Sequence, residues 1–273
     1  MALEVNKPRF YDIVQQVTTT EHERFNIGTY QEKKLHLFMK NYFESDPTCQ
    51  EIPYAGYVAD IKRDDCIIEI ETGGFCGLRN KLAAYLPTCR VTLVYPIAAV
   101  RALSWIDPVS GEISPRRKSP KKENVYDLLY QGIYILDYLS HPNLTIAGMC
   151  MEIQEYRLQD GWNRDKKRGS HRYERMPTDL YDIVSVTTLA DYAAWLPDSC
   201  VTDFTFAQFC RGIGKSQRVG RAVLKVYQTL GLVEQTGKKG RYYLYARTPL
   251  AAACMGEQST AEPQSAPLVG ENS

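Results

Sequence analysis

Apolar positions in the chain change period as it advances. Over residues 29–43, TYQEKKLHLFMKNYF, Leu35, Phe38, Met39, Tyr42 and Phe43 recur at steps of three and four, which predicts an amphipathic helix. Thr29 with Glu32 makes a capping-box pattern at its start, and Pro47 marks its end. Residues 51–62 (EIPYAGYVADIK) and 66–72 (CIIEIET) predict strands. Phe75, Leu78, Leu82 and Leu86 share a helical stripe that stops at Pro87. RVTLVYPIA, 90–98, is an apolar run suited to a strand buried on both faces. Strand, helix and apolar strand make a βαβ unit, so the two strands are expected parallel with a right-handed crossover.

Outside this block the pattern is coarser. YDIVQQVTTT, near the N-terminus, reads as a strand or edge segment. RALSWIDPVSGEIS predicts a hairpin turned at Pro108–Gly111, followed by a basic loop at 115–122. A helix is expected at about 124–139 and a strand at 143–158, before a second basic loop within 162–175. No internal repeat is present. From Ala251 the residues are small and polar, and disorder is expected.

FTFAQFCRGIGKSQRVGRAVLKVYQTLGLVEQTGKKGRYYLYAR, 204–247, has its own logic. A short helix and a Gly-containing turn precede a longer helix from about Ser216 to Leu230. Val219, Val223, Val226, Tyr227 and Leu230 form its apolar stripe, and Gly231 ends it. Two strands follow around the basic turn TGKKG. Between Phe204 and Thr248 there are nine basic side chains and one acid, hence +8; the net charge of +1 leaves −7 for the rest. Such segregation points to polyanionic partners.

Composition narrows the class without naming a chemistry. At 273 residues and 44% hydrophobic, the chain is long enough for one large or two smaller domains with a sizeable core. No apolar run could span a bilayer, and the N-terminus lacks a signal-peptide pattern, so a soluble cytoplasmic protein without a membrane partner is expected. The eight cysteines contain no CxxC pair. They read as reduced thiols serving as small apolar residues rather than as a zinc site.

Carboxylates carry the candidate chemistry. In ADIKRDDCIIEIETGG, 59–74, Asp60, Glu69 and Glu71 lie inside two strands, although acids are poor strand formers. Side chains alternate, so Glu69 and Glu71 share the face opposite Ile68 and Ile70. An even-length turn sets Asp60 across from Glu69 at about 5 Å between Cβ atoms; an odd one separates them. Two such acids repel when buried, and a divalent cation such as Mg²⁺, which takes one or two carboxylates with waters and phosphate oxygens, relieves that repulsion.

Helix, strands bearing D…(D/E)-x-K, helix and strand form the core of the PD-(D/E)xK, or restriction-endonuclease-like, superfamily, and residues 29–98 resemble it. The resemblance implies an α/β fold with an α-β-β-β-α-β core on a mixed sheet. It implies Asp60 and Glu69 as ligands of Mg²⁺ or Mn²⁺, with Glu32 as a further helix acid that can equally be only a cap. Gly73 and Gly74 lie where backbone approaches phosphate. The motif lysine is replaced by Glu71, which then stands as a third ligand or base, and Lys62 and Lys81 are candidate substitutes.

Residues 200–248 resemble a winged helix-turn-helix domain. In that family the second helix enters the DNA major groove and the wing touches backbone or minor groove. Here that implies Lys215, Arg218 and Arg221 on the helix, with Lys238, Lys239 and Arg241 in the wing. The whole chain also resembles a group of bacterial proteins of unassigned function. The expected organisation is a nuclease-like domain over 1–195, a winged helix over 196–248 and a tail over 249–273. The leading expectation is a metal-dependent DNA endonuclease. The alternatives are a non-catalytic DNA-binding regulator on a degenerate nuclease scaffold, or a protein-docking adaptor. DNA is the expected partner, and a homodimer is left open.

Overall fold

A computed structural model describes residues 3–19, 34–162 and 168–259. One end of its large sheet is a run of three strands, β1 (Gln50–Tyr54), β2 (Tyr57–Arg63) and β3 (Cys66–Ile70). The stretch expected as one strand over 51–62 is instead a hairpin. Ala55 and Gly56 take φ of 48° and 82°, the left-handed pair that a two-residue turn matched to strand twist requires. β2 and β3 are joined by Asp64 and Asp65, with Ile61 paired to Ile68 and Arg63 to Cys66. That is the even-length case, and the pairing ends at Ile61–Ile68, one step short of Asp60 and Glu69.

Helix α2 (Lys34–Phe43) precedes these strands, and α3 (Arg79–Tyr85) follows them. Phe75, Leu78, Leu82 and Leu86 are all buried, although only part of their stripe is helical. Gly74 and Gly77 at φ 118° and 97° hold the first residues in turns. Beyond α3, β4 (Arg90–Ile106) pairs parallel to β3, Ile68 to Thr92 and Glu69 to Leu93. β4 is far longer than expected. Pro96 is tolerated because it lies past the last β3 pair, Ile70 to Val94, where its missing N–H leaves no ladder bond unmade. The expected hairpin over 101–114 reduces to the end of β4, a turn and one bridge from Ile106 to Ile113. β5 (Arg117–Lys118) then covers the vacated edge of β4 at Ala102 and Leu103.

α4 (Val125–Gln131) ends in two 3₁₀ turns rather than one helix to 139. β6 (Leu144–Trp162) runs parallel to β4, and β7 (Arg168–Val186) antiparallel to β6. The second basic segment is therefore strand from Arg168 onward, and 163–167 lie outside the described residues. The sheet has seven strands, in the order β1-β2-β3-β4-β6-β7, with β5 beside β4. The N-terminal segment expected as a strand is helix α1 (Lys7–Thr19). Phe10, Ile13 and Val17 are buried at helical spacing, and Phe10 meets Phe38 of α2 edge-on at 4.9 Å. This packing overrides the β-preference of the Val-Thr run.

After α5 (Leu189–Ala194) come β8 (Phe204–Thr205), α6 (Phe206–Gly212), α7 (Gln217–Thr229), β9 (Val233–Lys239) and β10 (Tyr242–Arg247). The last three strands form a small sheet in the order β8-β10-β9. α8 (Pro249–Ser259) corrects the expected disorder up to residue 259: Ala251 and Cys254 are buried against the preceding core. Residues 260–273 lie outside the described part. Among the described residues, no helix is long and apolar enough to cross a membrane.

Two apolar cores flank the large sheet. On one face α1 and α2 cover Ile68, Ile70, Val94 and Met149. On the other, Ile67, Leu93 and Ile97 join Leu82, Leu128 and Leu129, and the same core continues into Phe209, Val223, Val226 and Tyr227. Residue 196, the expected domain boundary, thus interrupts no core. Gly132 shows the closeness of this junction: a Cβ there would meet Val226 at 3.3 Å.

Val226→Ala removes two methyl groups from this junction, at an expected cost of about 1–3 kcal/mol. Urea unfolding followed by tryptophan fluorescence and by circular dichroism should shift as one coincident transition. Two separate transitions, only one of them shifted, would contradict a shared core.

Candidate active site

Where β3 stops, the polar groups gather. Asp60, half-buried on β2, accepts a hydrogen bond at Oδ2 from the Ile70 backbone N–H at 2.7 Å. Its carboxylate thus takes the place of the next ladder bond and ties the ends of β2 and β3 together. His36 Nε2, on α2, lies 3.3 Å from the same oxygen. Burial raises the Asp60 pKa, but the contact and charge of His36, the Ile70 N–H and the charge of Lys81 outweigh it, leaving Asp60 below its ordinary value.

Glu69 is 1% exposed. Its Oε2 accepts from Lys81 Nζ of α3 at 2.8 Å, whereas Oε1 is buried without a hydrogen-bond partner. Burial, then the charge of Asp60, push its carboxyl up to about 7 against the pull of Lys81. Burial works against the Lys81 charge, yet the bond and charge of Glu69, with Asp60 and Glu71, carry that amine above its ordinary value. Glu71 follows the last β3 residue, its N–H bonded to Val94 O at 2.9 Å. Burial and the charges of Asp60 and Glu69 push it, too, up to about 7. Tyr85, one turn beyond Lys81, has a buried hydroxyl without a partner, and burial followed by the charges of Glu69 and Asp60 raises its pKa.

Asp60, Glu69, Glu71 and Lys81 are therefore brought into mutual electrostatic reach. Lys62 is not: its Nζ donates to Asp64 O at 2.5 Å and lies 4.7 Å from the centre of the Tyr54 ring. The β2–β3 turn offers the amine a nearer acceptor. Glu32 lies outside the described residues. His36 was missed by the sequence reading because a lone histidine on the polar side of an amphipathic helix carries no pattern. Gly74 has its reason in packing, since a Cβ there would sit 2.5 Å from Gln131 Oε1 of α4.

The expected basic surface divides. Arg218, Arg221, Lys238, Lys239 and Arg241 are exposed. Arg218 and Arg221 lie over the rings of Tyr130 and Phe206, and Lys238 and Arg241 over those of Tyr243 and Tyr242. Lys215 departs from the expectation. It forms an ion pair with Asp127 of α4 and bonds Lys122 O at 3.3 Å, with its side chain only 11% exposed. α7 is docked on α4 at this point, so Lys215 serves the junction rather than an open helix face.

Among the described residues, no group of three His, Cys, Asp or Glu side chains is placed to hold a metal ion. The residues do fit a cation that needs fewer protein ligands. Mg²⁺ is commonly held by one or two carboxylates and several waters, and Asp60 with the unpartnered Oε1 of Glu69 supplies that set.

The family described as "Domain of unknown function (DUF8091)" matches residues 33–187, which include the whole acid cluster. An uncharacterised protein of Treponema pallidum (strain Nichols) is 24% identical over 228 residues, spanning 82% of this chain and 88% of the relative. No solved structure matches the chain.

A carboxyl raised from its ordinary 4.5 to about 7 binds its proton more tightly in the folded state. Its stabilising contribution is complete below pH 4.5 and is lost as pH climbs to about 7. Glu71→Gln should therefore stabilise the chain by about 1–3 kcal/mol at pH 8 and by almost nothing at about pH 4.5. Urea titrations at the two pH values measure this, and an equal gain at both would rule out relief of charge as the cause.

Proposed function

The chain belongs to this domain family of unknown function, and on its own acid cluster we propose that it is a metal-dependent phosphodiesterase acting on DNA. The single observation that carries the reading is Glu69, whose 1% exposed carboxylate is held by Lys81 on one oxygen and left unpartnered on the other beside Asp60. Leaving a buried carboxylate oxygen unpaired is costly unless another group completes it. The order α2-β1-β2-β3-α3-β4, with the acids at the end of β3, supports a restriction-endonuclease-like core. The order α6-α7-β9-β10 supports a winged-helix module.

Asp60 and Glu69 would hold the cation. When bound, it supplies charge for an attacking hydroxide and for the leaving oxygen of a phosphodiester. Lys81 stands where a motif lysine is needed, reaching the site from α3 instead of from β3. It keeps Glu69 oriented and offers a positive charge for the developing phosphorane oxygens. Glu71, with a pKa of about 7, can accept a proton from water near neutrality. His36 holds Asp60 from the side of α2. The wing residues Lys238, Lys239 and Arg241, rather than Lys215, would meet the DNA backbone.

A second reading has its own observation. Lys81 already neutralises Glu69 without any metal, and no three metal-capable side chains converge among the described residues. That favours a non-catalytic DNA-binding protein built on the same scaffold.

Incubation with supercoiled plasmid and Mg²⁺ or Mn²⁺ separates the two. The nuclease reading expects nicking that chelator abolishes, that Asp60→Asn lowers by at least about 10³-fold and that Lys81→Met lowers by about 10²-fold. Activity should rise with pH until about 7, as Glu71 and Glu69 lose their protons. DNA binding that needs no metal, with no nicking of duplex, nicked or branched DNA by the wild type, would leave the binding reading standing instead.

A further inference from the structure

A second charged group is centred on β6, two strands along the sheet from β3. Glu155 of β6 is 1% exposed, and three arginines converge on it. Arg157 Nη1 lies 2.7 Å from one oxygen, with Arg172 Nε at 3.3 Å and Arg101 Nη1 at 4.0 Å from the other. That second oxygen has no hydrogen bond of good geometry despite its two cationic neighbours. Strand register dictates the gathering: Glu155 pairs with Arg175 of β7 and Arg157 with Arg172, while Arg101 pairs with Ile153, one diagonal away.

Cations outnumber acids here. Arg101, Arg157, Arg172 and Arg175 gather about Glu155 and Glu123, while the Glu174 carboxylate accepts from the Arg175 backbone N–H at 2.9 Å. The guanidinium donors are unequally used. Arg157 is fully engaged, with Ser170 Oγ and O as well as Glu155, and Arg101 is paired with Glu123. Arg172 spends only Nε, and Arg175 only one Nη, donated to Thr72 O at 2.8 Å. Among the described residues no carboxylate lies within ion-pair distance of Arg175. Burial, then the charge of Arg172, lower its pKa against the opposing charges of Tyr95, Glu123 and Glu155. Thr72 directly follows Glu71, so this open fork adjoins the acid cluster.

We propose that Arg172, held at Glu155, and Arg175, held at Thr72, each bind a backbone phosphate of a nucleic-acid strand passing the acid cluster. Planar forks with open donors suit phosphate oxygens. Arg101 and Arg157 are positioning residues that hold Glu155 beside Arg172. Two features favour a strand over a small free anion. The Arg157–Arg172 row lies about 7 Å along the strands from the Glu155–Arg175 row, and exposed Arg117 on β5, paired with Leu103 and so on the face of Arg101, continues the positive line along the neighbouring edge of β4. The proposal rests on the nucleic-acid part of the reading above and is independent of cleavage.

The test is binding of a fluorescent DNA duplex of about 20 base pairs by the full chain in chelator, across a salt series from about 50 to 200 mM. Arg172→Gln/Arg175→Gln should weaken binding at least about tenfold and lower the slope of log K against log salt by about two, one per phosphate contact. Circular dichroism and thermal melting verify the fold; if the Gln pair fails to fold, Arg172→Lys/Arg175→Lys keeps the charge but loses the forks and should weaken binding with little change of slope. A folded variant with wild-type affinity and slope would overturn the proposal, as would a wild type that binds no duplex at low salt. Inorganic phosphate that raises the melting temperature of wild type but not of the variant, with duplex binding equal in both, would assign the site to a small anion and also overturn it. Loss of salt slope in a protein that never cleaves DNA would sink the nuclease reading while leaving this site in place.

Discussion

The buried pair between Glu69 and Lys81 is the constraint around which the rest is arranged. A carboxylate with 1% exposure cannot stay in a sheet interior without a partner. Its partner comes from α3, which also supplies Leu82 to the core on the same face. The helix must therefore return over β3 and deliver β4 alongside, Glu69 level with Leu93. Charge and packing thus ask for the same crossover. The pairing is incomplete, since one Glu69 oxygen stays unsatisfied.

Asp60 plays a complementary part. Its bond to the Ile70 N–H ends the β2–β3 ladder and lets the two strands part where Glu71 and Thr72 leave the sheet. Three acids in two short strands first look like damage to a hydrophobic sheet. By parity they do none: Ile68 and Ile70 occupy the opposite face under α2. The cost is electrostatic, and the raised carboxyls of Glu69 and Glu71 register it.

α4 links this region to the C-terminal module. Gln131 lies against Gly74 in the loop after β3, Leu128 and Leu129 enter the shared core, and Asp127 takes Lys215. One short helix therefore touches the loop beside the acids, the sheet and α7. The basic residues that stay exposed are those farther along α7 and in the β9–β10 hairpin. An approaching polyanion would accordingly meet the hairpin and the outer face of α7, while the start of α7 is committed to α4.

Local pattern alone determined a good deal. The stripes of α2, α7 and Phe75–Leu86 marked helices because burial repeats with the helical period. The apolar run after Pro87 marked a strand parallel to β3, and alternation placed Glu69 and Glu71 opposite the isoleucines. Lys81 could be named only as one of two substitutes for a missing lysine. Tertiary structure chose it over Lys62, because the β2–β3 turn offers Lys62 a nearer carbonyl and the α3 crossover brings Lys81 onto Glu69. The Val-Thr run of α1 became helical only because Phe10 packs on Phe38. Arg172 looked like part of a basic loop until β7 paired with β6. Its approach to Glu155, like that of His36 to Asp60, joins residues far apart in sequence through register and packing, and no local pattern encodes such a meeting.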